Sequence, residues 1–335
     1  MNIIIPMAGM GKRMRPHTLT TPKPLVSVAG KPIVQRLVED ILSTSREKVE
    51  EIAFIISPAF GKAVEDTLMN IAESLGAKGK IYYQEVALGT AHALLAAADS
   101  LYGNVLIAFA DTLFKASFEI DVTKDAIVWT QRVDDPSAFG VVKLSDGGEI
   151  LEFVEKPAEF VSDQAIIGVY YFRDGERLRG ELQRLLDENI MQKGEYFLTD
   201  AMDHMLQNGV KFYTDEVEEW LDCGNYGATV FTNQRVLELK SQSENLLHET
   251  AVVENSVLIQ PVFLGKNVTI RNSVVGPHVS LEANVTVSDS RLRNSIVGEG
   301  TVLENVNLHN SMLGKSVVLK DVPREWSIGD FSTSA

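Results

Sequence analysis

The sequence predicts an α/β domain over about residues 1–240, followed by a left-handed parallel β-helix over about residues 250–322. Three observations point there. Apolar runs rich in β-branched and aromatic residues alternate with amphipathic stretches through the first part. From about Thr250 no helical period survives, and aliphatic residues recur every five or six positions. Residues 1–38 hold six cations (Lys12, Arg13, Arg15, Lys23, Lys31 and Arg36) and no carboxylate, in a chain of net charge −15.

Taken in order, Ile3–Ile5, Ile52–Ile56, Val105–Ala110, Ala126–Thr130, Val141–Leu144 and Ile166–Phe172 read as strands. Pro32–Leu42, Lys62–Leu75, Thr90–Asp99 and Glu176–Glu188 carry helical spacing, and Pro32 suits a first helical position. Strand–helix alternation in the first third implies parallel strands joined by right-handed crossovers. In such open sheets a ligand sits beyond the carboxyl ends of the strands. The Met7–Gly11 loop and Asp111 both fall at such ends. Thr229–Ser243, with Leu237 and Leu239 among polar residues, reads as a joining helix and linker.

In the second region the recurring residues are Leu258, Leu264, Ile270, Val275, Leu281, Val287, Leu292, Val297, Leu303, Leu308, Leu313 and Leu319. Small or turn-forming residues separate them, as in "FLGKNVTI" and "IVGEGTVL". An antiparallel sandwich would alternate with period two over longer runs and show hairpin turns. A β-helix of about four coils, each with three short faces and every sixth side chain inward, fits the pattern. Val322–Ala335 reads as a tail, with Trp326 docking back.

At 45% apolar and 23% charged residues, the 335-residue chain reads as an ordinary globular protein of two domains. No apolar run reaches the ~18–20 residues of a membrane span. Lys12 follows the first apolar run instead of preceding it, unlike a secretory signal. The one cysteine, Cys223, excludes an intramolecular disulfide and a cysteine-rich metal site, and makes a reducing cytoplasm the default expectation. The acidic balance argues against nucleic acid as a partner. A cationic island within it suits a small anion. A β-helix exposes flat faces and an end coil, which leaves a homo-oligomer open.

The island begins in "MAGMGKRMRPHTLTTPKPLV", residues 7–26. Gly9 and Gly11 let backbone N–H groups approach a phosphate closely. No Ser or Thr follows Gly-Lys, so the loop is not a Walker P-loop, and the third glycine of the dinucleotide fingerprint is missing. The alternative is a tight strand-to-helix turn with surface cations.

With the segments that follow, the chain resembles the sugar-1-phosphate nucleotidyltransferases, the nucleoside-diphosphate-sugar pyrophosphorylases. The matching stretches are "MAGMGKRMRP…TPKPLV", "QEVALGTAHAL", "VLIAFADTLF", "FGVVKL", "FVEKP", "IIGVYYF", "EYFLTDAM" and "WLDCGNYG", in that order. They span residues 1–240, and a β-helix tail also occurs in this superfamily. The resemblance implies a Rossmann-like mixed sheet and Mg²⁺-dependent transfer of a nucleotidyl group from an NTP to a hexose 1-phosphate. Pyrophosphate is the second product. Thymidylyl or uridylyl transfer to glucose 1-phosphate leads. Guanylyl transfer to mannose 1-phosphate, and a noncatalytic regulatory or sugar-nucleotide-binding subunit on the same fold, stay open.

The resemblance also assigns residues. Arg13 and Lys23 become the catalytic cations: a guanidinium fork for the leaving pyrophosphate and a lysine stiffened between Pro22 and Pro24. Asp111 and Asp222 become the metal ligands, since two carboxylates with phosphate oxygens and water suit Mg²⁺. Met7, Ala8, Gly9, Gly11, Gln84, Gly89 and Thr90 fall to the nucleotide, with Gln84 and Gly89 reading a pyrimidine edge. Gly140, Glu155, Lys156 and Val169 fall to the sugar phosphate. Ala110-Asp111 stands where the family more often has Gly-Asp. The tail histidines, His248, His278 and His309, lack metal spacing and read as surface or inter-coil residues.

Overall fold

The computed structural model describes residues 1–117 and 119–323. Trp326 and its expected docking lie outside the described residues. In chain order the elements up to Asn225 are β1 (Asn2–Pro6), β2 (Ser27–Val28), β3 (Lys31–Pro32), α1 (Ile33–Ser43), β4 (Glu51–Ile56), α2 (Lys62–Ser74), β5 (Lys78–Tyr83), α3 (Thr90–Leu95), β6 (Val105–Ala108), β7 (Thr112–Lys115), β8 (Ala126–Arg132), β9 (Gly140–Leu144), β10 (Ile150–Glu155), β11 (Gln164–Phe172), α4 (Gly175–Asp187), α5 (Leu198–Gln207), β12 (Phe212–Glu216) and β13 (Glu219–Asp222).

The main sheet runs β10-β9-β11-β6-β1-β4-β5, with β8 on β11 and β12 on β8. Strands β6, β1, β4 and β5 are parallel to one another. Strand β11 joins them antiparallel, so the sheet is mixed. In the parallel half the inner strands β6, β1 and β4 are buried on both faces, as their unbroken apolar runs require, with Ile3, Ile4 and Ile5 showing no exposed surface, whereas the edge strand β5 is only partly buried. From β1 the chain builds β4 and β5 on one side, then returns to β6 on the other. That reversal opens a crevice beyond the carboxyl ends of β1 and β6.

Strand β6 stops at Ala108, two residues short of the expected end. There Phe109 N–H turns to donate to Gly168 O (2.9 Å), and Thr112 N–H donates back to Phe109 O (3.2 Å). Asp111 therefore sits in a turn leading into β7. Strand β7 pairs antiparallel with β13, with Asp222 opposite Thr112.

Packing divides the chain into Met1–Val26 with Lys31–Asn225, and Ser27–Gly30 with Tyr226–Ala335. Helix α6 (Tyr226–Lys240), read from sequence as the joining element, thus groups with the second unit. Within that unit its fully buried Asn233 accepts from Ala29 N–H (2.9 Å) and Ser280 Oγ (2.7 Å). Among the described residues no helix is long and apolar enough to cross a membrane.

The second unit carries the left-handed parallel β-helix. The recurring aliphatics resolve into three stacked columns. Leu258, Val275, Leu292 and Leu308 form one, and Leu264, Leu281, Val297 and Leu313 the next. Ile270, Val287, Leu303 and Leu319 form the third, which Val253 heads. A coil is 17 residues at the start (Asn255 to Asn272) and 16 further on (Asn294 to Asn310), shorter than three strict hexapeptides. Asn255, Asn272, Asn294 and Asn310 turn the chain in left-handed conformation, which Asn tolerates, and their amides bond from coil to coil.

Ile270 has no exposed surface, whereas Val253 in the same column is 39% exposed. Ile270→Ala is expected to cost about 2–5 kcal/mol and Val253→Ala well under half of that. Denaturant unfolding of the β-helix checks it, and equal costs would contradict the stacked-column account.

Candidate active site

Strand β1 hands the chain to the loop at Met7, whose N–H still donates to Ile55 O (2.8 Å). Gly11 then takes a left-handed conformation (φ +57°). Its carbonyl accepts from Thr18 Oγ1 (2.8 Å), and a β-carbon there would lie 3.0 Å from Lys23 Cβ. A larger residue at position 11 would push the Lys23 turn away. Lys12–Met14 forms one tight helical turn, anchored by the fully buried Met14. Lys23–Leu25 forms another, closed by Leu25 N–H on Pro22 O (2.9 Å).

Lys23 Nζ lies 2.6 Å from Asp111 Oδ2, with the lysine side chain 13% exposed. Cys223 N–H donates to Asp111 O (2.9 Å), and Asp222 Oδ1 accepts from Gly224 N–H (2.9 Å). A β-carbon on Gly224 would lie 2.9 Å from Asp222 Oδ1 and 3.4 Å from Arg13 Nη2. The guanidinium and the second carboxylate therefore crowd the same face of Gly224. Arg13, Lys23, Asp111 and Asp222 come from four separate segments and meet.

The carboxyl of Asp222 is pushed above its ordinary range, by burial first and then by the Asp111 charge. The Gly224 N–H bond and the Lys23 and Arg13 charges pull the other way without cancelling this. The two carboxylates lie close enough for the Asp111 charge to act on Asp222, and the donors are oxygens. Such a site fits a hard divalent cation. Among the described residues no third His, Cys, Asp or Glu completes a cage, which leaves other positions for phosphate oxygen and water.

At the other end of the crevice, Gln84 N–H donates to Ile56 O (2.9 Å), extending the ladder edge by one residue. Gln84 Nε2 faces Gly89 O and His92 Nδ1, each at 3.4 Å. Gly89 takes φ +106°, and a β-carbon there would fall 2.4 Å from Tyr196 O. Only glycine fits. The Glu195–Thr199 segment is pinned here by Tyr196 N–H on Leu88 O (2.8 Å) and Leu198 N–H on Thr90 Oγ1 (2.9 Å).

That segment reaches the sugar-side residues. Thr199 Oγ1 donates to Glu155 Oε2 at 3.5 Å, and a β-carbon on Gly140 would lie 3.1 Å from the same oxygen. Lys156 holds a left-handed conformation (φ +44°), with its N–H on Phe139 O (3.1 Å) and Nζ 3.4 Å from Glu155 Oε1.

One cavity of about 550 Å³ is lined by Met7, Ala8, Gly9, Gly11, Arg13, Lys23, Gln84, Gly89, Thr90 and Asp111. Asp222 adjoins it through Gly224. Gly140, Glu155 and Lys156 form a neighbouring group outside its lining. Val169 is likewise absent from that lining: its side chain is buried and its backbone pairs with Ala108 in the sheet. Sequence reasoning passed over Glu195, Met10 and Phe109, which also line the cavity. Glu195 opens the "EYFLTDAM" stretch, and that was the available signal.

A raised native carboxyl means that ionised Asp222 opposes folding. The penalty is absent below the unfolded-state carboxylate range, where the group is protonated in both states, and is fully developed once pH has risen through the raised native value. Asp222→Asn keeps an acceptor for Gly224 N–H. It is expected to raise the unfolding free energy at pH 7 and to show a smaller gain at acid pH. Lower stability at pH 7 would remove the like-charge argument.

Comparison with known proteins agrees with this geometry. Residues 2–238 match the family described as "Nucleotidyl transferase". The chain is 28% identical to a glucose-1-phosphate thymidylyltransferase of Streptomyces griseus, over 91% of this chain and 89% of that one. It is 29% identical to the bifunctional protein GlmU of Methanococcus maripaludis, over 78% of this chain and 62% of that one. Among solved structures, a UDP-glucose pyrophosphorylase complexed with UDP-glucose matches in fold, with a TM-score of 0.58 at 20% identity, over 71% of this chain and 98% of that one. The ordered motifs, the gathered cavity and the match over most of the chain together place this protein in the nucleotidyl transferase family, as an enzyme of the sugar-1-phosphate nucleotidyltransferase class.

Proposed function

We propose that this enzyme transfers the nucleotidyl group of dTTP or UTP to glucose 1-phosphate, with Mg²⁺ held by Asp111 and Asp222, and releases pyrophosphate. The observation that carries the reading is the polarity of one cavity. Loop cations and the carboxylate pair stand at one end, and the Gln84–Gly89 edge stands at the other. A triphosphate with a pyrimidine base has the same polarity. The thymidylyltransferase names of two Streptomyces relatives support the choice of nucleotide and sugar.

The sugar phosphate oxygen is already an anion near neutral pH, so its attack on the α-phosphorus needs no strong base. The new P–O bond forms in line as the bond to the β-phosphate oxygen breaks, and both electrons of that bond leave with pyrophosphate. What the protein must supply is position and positive charge. Lys23, held by its turn and by Asp111, is assigned to the transferred phosphoryl group. Arg13 is assigned to the departing pyrophosphate, where a planar fork can take two oxygens. A divalent ion at the two carboxylates would supply charge neutralisation across adjacent phosphates. Glu155 is assigned to sugar hydroxyls and Lys156 to the sugar phosphate. Ala110, where the family more often has glycine, lines the cavity wall beside Asp111.

Pyrophosphate release, measured for four NTPs against several sugar 1-phosphates, is the direct assay. dTTP or UTP with glucose 1-phosphate is expected to give the highest kcat/KM. Asp111→Asn is expected to lower turnover by about 10²-fold or more while the protein stays folded. No pyrophosphate from any pair would reject the reading. Near-normal turnover of Asp111→Asn would reject the metal assignment alone.

A further inference from the structure

We infer that His92 is a positioning residue for base selection: it fixes the orientation of the Gln84 amide, so that Gln84 presents its carbonyl oxygen to the base. The inference rests on the assignment of Gln84 and Gly89 to the nucleobase and goes beyond it.

Chemistry orients the amide. One end of the Gln84 side chain lies 3.4 Å from Gly89 O. A carbonyl oxygen can only accept, so that end must be the NH₂ group. Gly89 O cannot swing away to suit another arrangement. It already accepts the first bond of α3, from Ala93 N–H (3.1 Å), and its residue is locked against Tyr196. The same nitrogen of Gln84 lies 3.4 Å from His92 Nδ1. Facing an NH₂ group, Nδ1 has to accept, and the ring proton then resides on Nε2. The NH₂ group thus faces its two acceptors on the protein side. Oε1 is left as the group that can meet a ligand.

Position 92 is where the helix brings a side chain back to this spot. His92 sits in the first turn of α3, eight residues from Gln84 and three from Gly89. It is half-buried beside the cavity-lining Ala93.

A fixed acceptor has a defined consequence. Uracil and thymine carry N3–H, a donor, and guanine carries N1–H. Cytosine and adenine present an unprotonated ring nitrogen at the corresponding edge. Facing Oε1, the first three bases gain a hydrogen bond, and the last two set two acceptors against each other. An amide free to flip would lose this distinction. His92 therefore acts on discrimination against C and A, and the size of the pocket is left to separate guanine from the pyrimidines.

The test is steady-state kinetics with dTTP, UTP, CTP and ATP, glucose 1-phosphate in excess, for wild type, His92→Leu and His92→Asn. Leucine removes the acceptor. The KM for the preferred nucleotide is expected to rise about tenfold with kcat within about twofold, and its advantage over CTP to shrink about tenfold. Asparagine can offer Oδ1 near the place of Nδ1 and is expected to restore the wild-type ratio. His92→Ala gives the same reading should leucine unfold the helix. An unchanged ratio in His92→Leu or His92→Ala, or an Asn variant no better than Leu, would overturn the inference. Wild-type enzyme that prefers CTP or ATP would instead overturn the base assignment itself.

Discussion

The ladder between β7 and β13 brings Asp111 and Asp222 to one spot, and like charge at one spot must be answered. Asp222 faces Thr112 across the ladder, and Cys223 N–H closes on the Asp111 carbonyl. Backbone bonds, which side-chain motion cannot relax, hold the two carboxylates in place. The rest of the crevice follows from that requirement. Lys23 approaches Asp111 to 2.6 Å, and Arg13 crowds Gly224 beside Asp222. The turns that carry these cations are stiffened by prolines and by a glycine that no larger residue could replace without displacing Lys23. Burying this carboxylate pair costs the folded protein some stability, as the raised Asp222 carboxyl shows.

The polar ends of the cavity also explain an absence among its lining residues. The proposed reaction asks for no serine, histidine and aspartate arrangement, because a phosphate nucleophile arrives ionised, and none lines the cavity. On the proposed reading catalysis is electrostatic and geometric, and the residues assigned to it are cations, glycines and carboxylates held by sheet ends. The parallel half of the sheet supplies these ends: β1 and β6 finish side by side where the strand order reverses.

Much of this was legible in the sequence, for specific reasons. Long apolar strands such as Asn2–Pro6 and Glu51–Ile56 announce themselves because burial on both faces leaves no polar alternation. The β-helix was legible because each inward column repeats one residue class. Its change of coil length from 17 to 16 residues was not, since the aliphatic columns keep their register through it. Strands β7 and β13 were missed: four residues each are too short to show a period. Val169 was read as lining the sugar pocket through its backbone; its side chain is buried in the strand interior, so only its backbone is left for that part. His92 escaped because its part depends on an amide eight residues away, brought close only by the loop through Gly89.

The convergence of charge on one phosphorus is the claim on which the functional account stands. Anomalous diffraction from crystals grown with Mn²⁺ and a nonhydrolysable NTP analogue tests it most directly. The account expects a manganese peak coordinated by the carboxylates of Asp111 and Asp222, with the α-phosphate in contact with Lys23 and the terminal phosphates beside Arg13. A metal bound away from both carboxylates, or a triphosphate seated elsewhere on the molecule, would contradict it.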